Sequence, residues 1–143
     1  MGPSSNKADL AGSLQRLKDH NKGLLPDYKI IPERRLVFVK FSGQVTVKKI
    51  AWYAECLRAD PSFDPHFSEI VDIREVQGVD LDGPQMIEVA DKIDPFAHEA
   101  KRAFVVSTAV QEHGARMHQI LRAAKENMAI FHSLEEAERW ILH

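Results

Sequence analysis

The densest polar cluster in the chain comprises Asp72, Arg74, Asp80, Asp82 and Gly83. It lies in a stretch from Ser68 to Met86 that reads S-E-I-V-D-I-R-E-V-Q-G-V-D-L-D-G-P-Q-M. A short apolar run (Ile70, Val71, Ile73) ends at the pair Asp72 and Arg74. A turn at Gly78 follows, and Asp80 and Asp82 lead through Gly83 and Pro84 into an amphipathic segment. This order predicts a buried strand, a polar loop and a helix start. In an open α/β sheet, ligands and partners meet the carboxyl ends of strands, so a protein partner is expected at these five residues. Each also has a local task available: Asp82 as a helix N-cap, Asp72 and Arg74 as mutual neutralisers.

Other chemistries find less support. None of the seven histidines forms an H-x-x-x-H pair, and there is no C-x-x-C. His113 and His118 are five apart on one predicted helix and so face different ways. A three-ligand zinc site would need coincidence in space, and no metal or cofactor is expected. The single cysteine, Cys56, excludes an intramolecular disulfide and falls inside a predicted helix, where a thiol usually serves as a small buried hydrophobe. G-x-S-x-G, Walker A and G-x-G-x-x-G are absent. A receiver-like phosphoacceptor at Asp72, with Ser107 or Thr108 as switch hydroxyl, lacks its partners. The last strand ends in Phe131-His132 with no lysine, and no acidic pair follows the first strand to hold magnesium. The expectation is a protein that is not an enzyme.

The elements that must position these residues follow from periodicity. Residues 1–25 read as an extension, partly disordered or a short helix with Leu10, Leu14 and Leu17 at helical spacing. Residues 26–143 read as one domain. Tyr28–Ile31 and Arg35–Phe41 are two strands joined by Pro32-Glu33-Arg34 as an antiparallel hairpin, ended by Gly43. Thr46 caps a helix carrying Val47, Ile50, Ala51, Ala54 and Leu57. The central strand and loop come next, then a helix with Met86, Val89, Ala90 and Ile93, capped by Asp82 and stopped by Asp94-Pro95. Ala103–Val106 is a strand. Thr108 and Gln111 form a capping box for a helix whose inner face is Val110, Gly114, Met117, Leu121 and Ala124, with Gly114 permitting close approach to the sheet. Met128–Phe131 is the last strand, and Ser133 with Glu136 caps a final helix that buries Ala137, Trp140 and Ile141.

The order β-β-α-β-α-β-α-β-α, with late strands apolar on both faces, predicts a three-layer α/β domain with a mixed, mostly parallel sheet of about five strands and about four helices. A chain of 143 residues can bury such a core without disulfides or metal. The net charge of −2 supplies no field for nucleic acid. The basic pairs Arg34–Arg35, Lys48–Lys49 and Lys101–Arg102 read as solvated faces. No apolar run approaches a membrane span, the first residues show no signal-peptide core, and one cysteine fits a reducing, cytoplasmic setting.

The central stretch resembles the STAS signature, a strand and short loop followed by Asp-Ser-Ser-Gly opening a helix. It is closer to the small bacterial relatives described as SpoIIAA-like or STAS/Sec14-like. The motifs, in order, are R-L-V-F-V-K-F-S-G (Arg35–Gly43), D-P-S-F-D-P (Asp60–Pro65), V-D-I-R (Val71–Arg74), G-A-R-M (Gly114–Met117) and F-H-S-L-E-E-A-E-R-W-I (Phe131–Ile141). The resemblance implies that mixed-sheet fold and, for STAS proteins proper, anti-sigma-factor antagonism switched by phosphorylation of the loop serine. Here Leu81 and Asp82 stand where the serines would be, and residues 69–106 contain no Ser, Thr or Tyr. A non-catalytic, unswitched interaction module is therefore expected. The Sec14-like relationship implies an alternative, a small apolar or lipid ligand, for which Trp52, Met86, Phe96 and Met117 are the candidate lining residues.

Overall fold

The computed structural model describes residues 7–20, 23, 25–124 and 126–143. The elements run α1 (Lys7–His20), β1 (Asp27–Ile31), β2 (Leu36–Thr46), α2 (Val47–Ala59), β3 (Ser68–Asp80), α3 (Gly83–Glu88), β4 (Arg102–Val105), α4 (Ala109–Leu121), β5 (Met128–Phe131) and α5 (Leu134–Leu142). The strands stand in the order β1-β2-β3-β4-β5; the first pair is antiparallel and the others are parallel. Right-handed crossovers between strands added successively in one direction put their helices on one face of the sheet. On that face Val37, Val39 and Phe41 of β2 pack with Val71 of β3, Phe104 of β4, Tyr53 and Leu57 of α2 and Ala115 of α4. The opposite face carries Leu36, Ile70, Ala103 and Val105 and is covered by Ala137 and Ile141 of α5. The result is three layers, with α1 lying against α2.

Helix starts follow the predicted chemistry. Thr46 Oγ1 accepts from Lys49 N, Thr108 and Gln111 form a reciprocal capping box, and Ser133 Oγ accepts from Glu136 N. In the N-terminal segment, α1 buries Leu14, and Lys18 Nζ stands 4.7 Å from the Tyr28 ring centroid. The side chains of Leu10 and Leu17, and all of residues 1–6, lie outside the described residues.

Three expectations need correction. The hairpin does not end at Gly43: β2 continues to Thr46 and pairs with β3 as far as Asp80. The central polar loop with its turn at Gly78 is thus the second half of a 13-residue strand. The register shows why alternation fails there. Lys40 pairs with Asp72 but Ser42 with Glu75, and Gly43 pairs with Val76 but Gln44 with Gly78. At each step β3 carries an extra residue, a bulge that flips which residues face the helices. Gly43 adopts φ 67°, the left-handed region that favours glycine. Of the expected inner face of α4, Val110 is exposed, while Gly114, Met117 and Leu121 do face inward and are joined by buried Gln111 and Ala115. Arg102 is buried rather than part of a solvated basic pair.

Gln111 explains how the extended β3 is tolerated beyond the short β4. Its amide nitrogen donates to Arg74 O (3.0 Å) and Val76 O (2.8 Å), while its Oε1 accepts from Ser107 N (2.7 Å) and Thr108 N (3.1 Å). One side chain does what the missing strand would have done for buried backbone groups.

Candidate functional site

The sheet's helix-facing side and the layer formed by α2, α3 and α4 line a partly open cavity of about 140 Å³. Its sheet wall is apolar, with Phe41, Val71, Ile73 and Phe104; Ile50, Ala115 and Leu121 line it from the helices. Partly exposed Leu81, Met86 and Met117 form part of its boundary. Gly114 also borders it. A Cβ built there would lie 3.7 Å from Val79 Cγ2, an ordinary contact, so this glycine leaves space rather than permitting a tight approach to the sheet.

One wall is charged. Glu69 is the helix-facing residue at the start of β3, and its register partner Arg102 stands at the start of β4. Arg102 Nε donates to Glu69 Oε1 at 2.8 Å, and Tyr53 of α2 donates its hydroxyl to Glu69 Oε2 at 2.6 Å. Arg102 Nη1 is 2.8 Å from Asp94 Oδ2, and the same oxygen lies 2.8 Å from His118 Nε2 of α4 and 3.6 Å from Arg122 Nε. Arg122, past the end of α4, donates to Ala90 O (3.0 Å) and Phe96 O (2.7 Å); its Nε is buried without a hydrogen-bond acceptor. The geometry at Asp94 comes from a π turn, Val89–Ile93, that follows α3. Asp94 N donates to Val89 O (2.9 Å), and this wider turn ends the helix with the aspartate inward, where its Oδ1 accepts from Phe96 N (3.0 Å).

Burial alone would push Asp94 up in pKa; Arg102, His118 and Arg122 outweigh it and hold the carboxyl below the usual carboxylate range. For Arg102 burial works against the charge, but Glu69 and Asp94 more than compensate and the guanidinium is held charged. Burial, then the adjacent Glu69 carboxylate, raises Tyr53 well above an ordinary phenol, so it remains a neutral donor. The wall thus contains two carboxylates and two guanidiniums in balance, with the His118 imidazole as the additional titratable base. None of these six residues was singled out from sequence.

The sequence-selected residues fall in different places. Asp72 is buried on the α5 side of the sheet, its carboxylate accepting from Arg74 N (3.1 Å), Nε (3.0 Å) and Nη2 (2.9 Å). Burial opposes its charge, yet Arg74 prevails and lowers the pKa. Asp80 is exposed at the end of β3. Asp82 caps α3 through Gln85 N (2.8 Å), and Gln85 Oε1 accepts from Asp82 N (3.0 Å) in return. Gly83 is exposed at the start of α3. Asp72 and Asp80 pair with Lys40 and Thr46 of β2, and at about 3.3 Å per residue that spreads them roughly 20 Å apart along the strand; they do not converge. Of the apolar candidates, Met86 and Met117 line the cavity. Phe96 packs edge-on against Phe63 (centroids 5.2 Å apart) and under the Arg102 guanidinium (4.4 Å), and Trp52 is half-buried on α2; neither lines the cavity. Cys56 is buried, and burial pushes its thiol up in pKa. Among the described residues, no three His, Cys, Asp or Glu side chains are placed to hold a metal ion, and no helix is long and apolar enough to cross a membrane.

This architecture is a SpoIIAA-like fold. A solved structure from Shewanella loihica PV-4, described as an uncharacterized protein of the DUF3478 family with a SpoIIAA-like fold, matches 74% of this chain and 83% of its own at a TM-score of 0.53, with 17% identity. At that identity the likeness concerns the fold alone. No family model and no curated protein matches the chain.

Proposed function

We propose that this SpoIIAA-like, STAS-like domain is a non-catalytic binding module whose ligand is a small apolar or amphipathic molecule held between the sheet and α2, α3 and α4. The observation that carries the reading is the cavity of about 140 Å³ lined mainly by apolar side chains, Met86 and Met117 among them. A cavity of roughly 150 Å³ with apolar walls takes up benzene, so the volume suits one aromatic ring or a short aliphatic chain. A whole phospholipid is far too large for it. Methionines suit such a role because their unbranched side chains refit around different shapes.

The test is a titration with toluene, followed through the ε-methyl NMR signals of Met86 and Met117, with native mass spectrometry of protein taken directly from cell extract. Saturable shifts at both methyls, or a co-purifying small molecule, support the reading. Methyl signals unmoved up to the solubility limit of toluene, together with a clean apo mass, would remove it.

A second reading keeps the domain as a regulatory module for a protein partner. It draws on the exposed tip formed by Asp80, Asp82 and Gly83, where β3 passes into α3. Arg74 and Asp72 add less to such a surface, since they are engaged with each other. An Asp82→Lys variant that binds a candidate partner as tightly as the parent would exclude that tip as the interface.

A further inference from the structure

We propose that the cavity is selective for a small monocarboxylic acid, an apolar body of about one ring carrying one carboxylate, and that His118 gains a proton when it binds. This rests on the ligand-binding reading above and adds the chemistry of the ligand.

The argument begins with the donors that the wall leaves over. Glu69 and Asp94 are both engaged, the first by Tyr53 and Arg102, the second by Arg102, His118 and Phe96 N. Each carboxylate oxygen of the wall is thus already held by at least one donor. The donor side is different. Arg102 uses Nε on Glu69 and Nη1 on Asp94, and no hydrogen bond among the described residues uses its Nη2. His118 uses Nε2 on Asp94, and none uses its Nδ1. Both residues line the cavity, and each places a nitrogen 2.8 Å from the same Asp94 oxygen. Arg102 Nη2 can only donate, whereas Nδ1 accepts while the ring is neutral and donates once it is protonated; a carboxyl group suits both, since it accepts from the guanidinium and, as a carboxylate, from a protonated Nδ1.

Charge leads to the same class. The two carboxylates and two guanidiniums of the wall cancel, so the imidazole of His118 decides its net charge. A bound carboxylate adds one negative charge to a buried place, and the imidazole is the group whose protonation restores balance near neutral pH. The charged and titratable groups sharing the wall with that ring are Asp94 from the π turn, Arg102 from β4, Glu69 from β3, Tyr53 from α2 and Arg122 just past α4. Asp94 already holds Nε2, so the incoming proton goes to Nδ1, the nitrogen left for the ligand. The rest of the cavity offers hydrocarbon, which sets the body of the acid as apolar.

The test compares benzoate with toluene by calorimetry and methyl NMR at pH 7.5, in two buffers of different ionisation enthalpy, for the parent and His118→Gln. The parent is expected to bind benzoate about tenfold or more tightly than toluene, as charge-assisted hydrogen bonds require, with net proton uptake. His118→Gln is expected to lose all proton uptake and to lower the ratio of benzoate to toluene affinity about tenfold. Toluene binding as well as or better than benzoate, or benzoate binding that His118→Gln leaves unchanged, overturns the acid selectivity and leaves the cavity reading standing. If neither probe binds, both fall. Since His118 is partly exposed and sits at the edge of the network, Gln is tolerable there; circular dichroism of the variant checks that it is folded.

Discussion

Replacing Arg102 by Met tests whether the charged wall is dry. The substitution keeps an unbranched apolar stem and removes the cation that contacts both Glu69 and Asp94 at 2.8 Å. Asp94 would keep His118 and Arg122; Glu69 would keep only the Tyr53 hydroxyl. Glu69 is 2% exposed and Arg102 5%, so bulk solvent reaches neither side chain. Breaking one side of such a buried pair typically costs about 3–5 kcal/mol, because the remaining charge stays behind unpaired. Against the roughly 5–15 kcal/mol that stabilises a domain, this is a large fraction. With about 2–4 °C per kcal/mol for a chain of this size, the thermal midpoint should fall by roughly 6–20 °C. Urea unfolding followed by far-UV circular dichroism measures the loss. Adding Glu69→Leu removes the stranded charge as well, and the double variant should exceed Arg102→Met by about 1–3 kcal/mol, the range of coupling between residues in contact. A loss below about 1 kcal/mol for Arg102→Met, the range of exposed ion pairs, would refute the argument and mean that solvent reaches the wall.

Asp94→Asn should flatten the acid limb of stability. The folded-state pKa of Asp94 is depressed, so its contribution is complete above the ordinary aspartate value of about 3.9 and is lost as pH falls through the lower folded value. The parent should therefore lose stability steeply below about pH 4, and the variant, weaker at pH 7, should lose less over that range, with Asp72 supplying part of the slope that remains. Deleting residues 1–25 should leave a folded domain weakened by about 1.5–3 kcal/mol, the worth of burying a leucine such as Leu14; loss of cooperative unfolding would make α1 integral to the core. Gly114→Val places methyl groups in the cavity from a position with ordinary clearance, so thermal stability should hold while toluene no longer shifts the Met117 methyl. Asp82→Ala should cost about 1 kcal/mol through the lost cap of α3, read from the same urea curves.

What was legible in the sequence is what local chemistry decides. Thr46, Asp82, Thr108 and Ser133 announce helix starts because a side-chain oxygen before an amphipathic run has one favourable use. The parallel strands show themselves as short apolar runs, and the SpoIIAA-like arrangement follows from their order. The second halves of β2 and β3 were not legible. Two bulges moved the inward positions from Val71 and Ile73 to Val76 and then to Val79, so no period of two survives, and Gly78 within the pattern reads as a turn. Part of their support comes from Gln111, 35 residues from the carbonyl of Val76, which no local window contains.

The charged wall escaped for a related reason. Each member looks ordinary in its own segment: Asp94 as a helix stop before Pro95, Arg102 as half of a basic pair, and His118 as a lone histidine out of step with His113. Nevertheless, one signal existed. Glu69 shares the inward parity of Val71 and Ile73, and Arg102 that of Phe104 and Val106, so both charges stand on the buried face of strands otherwise built to be apolar. Two opposite charges at the first inward positions of neighbouring parallel strands can be satisfied together only if the strands pair in register, as Glu69 and Arg102 do. A slip of one residue would turn the slipping strand's charge toward α5 and leave its partner unpaired on the other face. The pair therefore fixes the register of β3 against β4, and it sets the guanidinium at the level of the π turn where Asp94 and His118 converge. Register and site share one cause, so a variant that frees one should disturb the other: in Arg102→Met, exchange of the β3–β4 amides should quicken along with any loss of carboxylate binding.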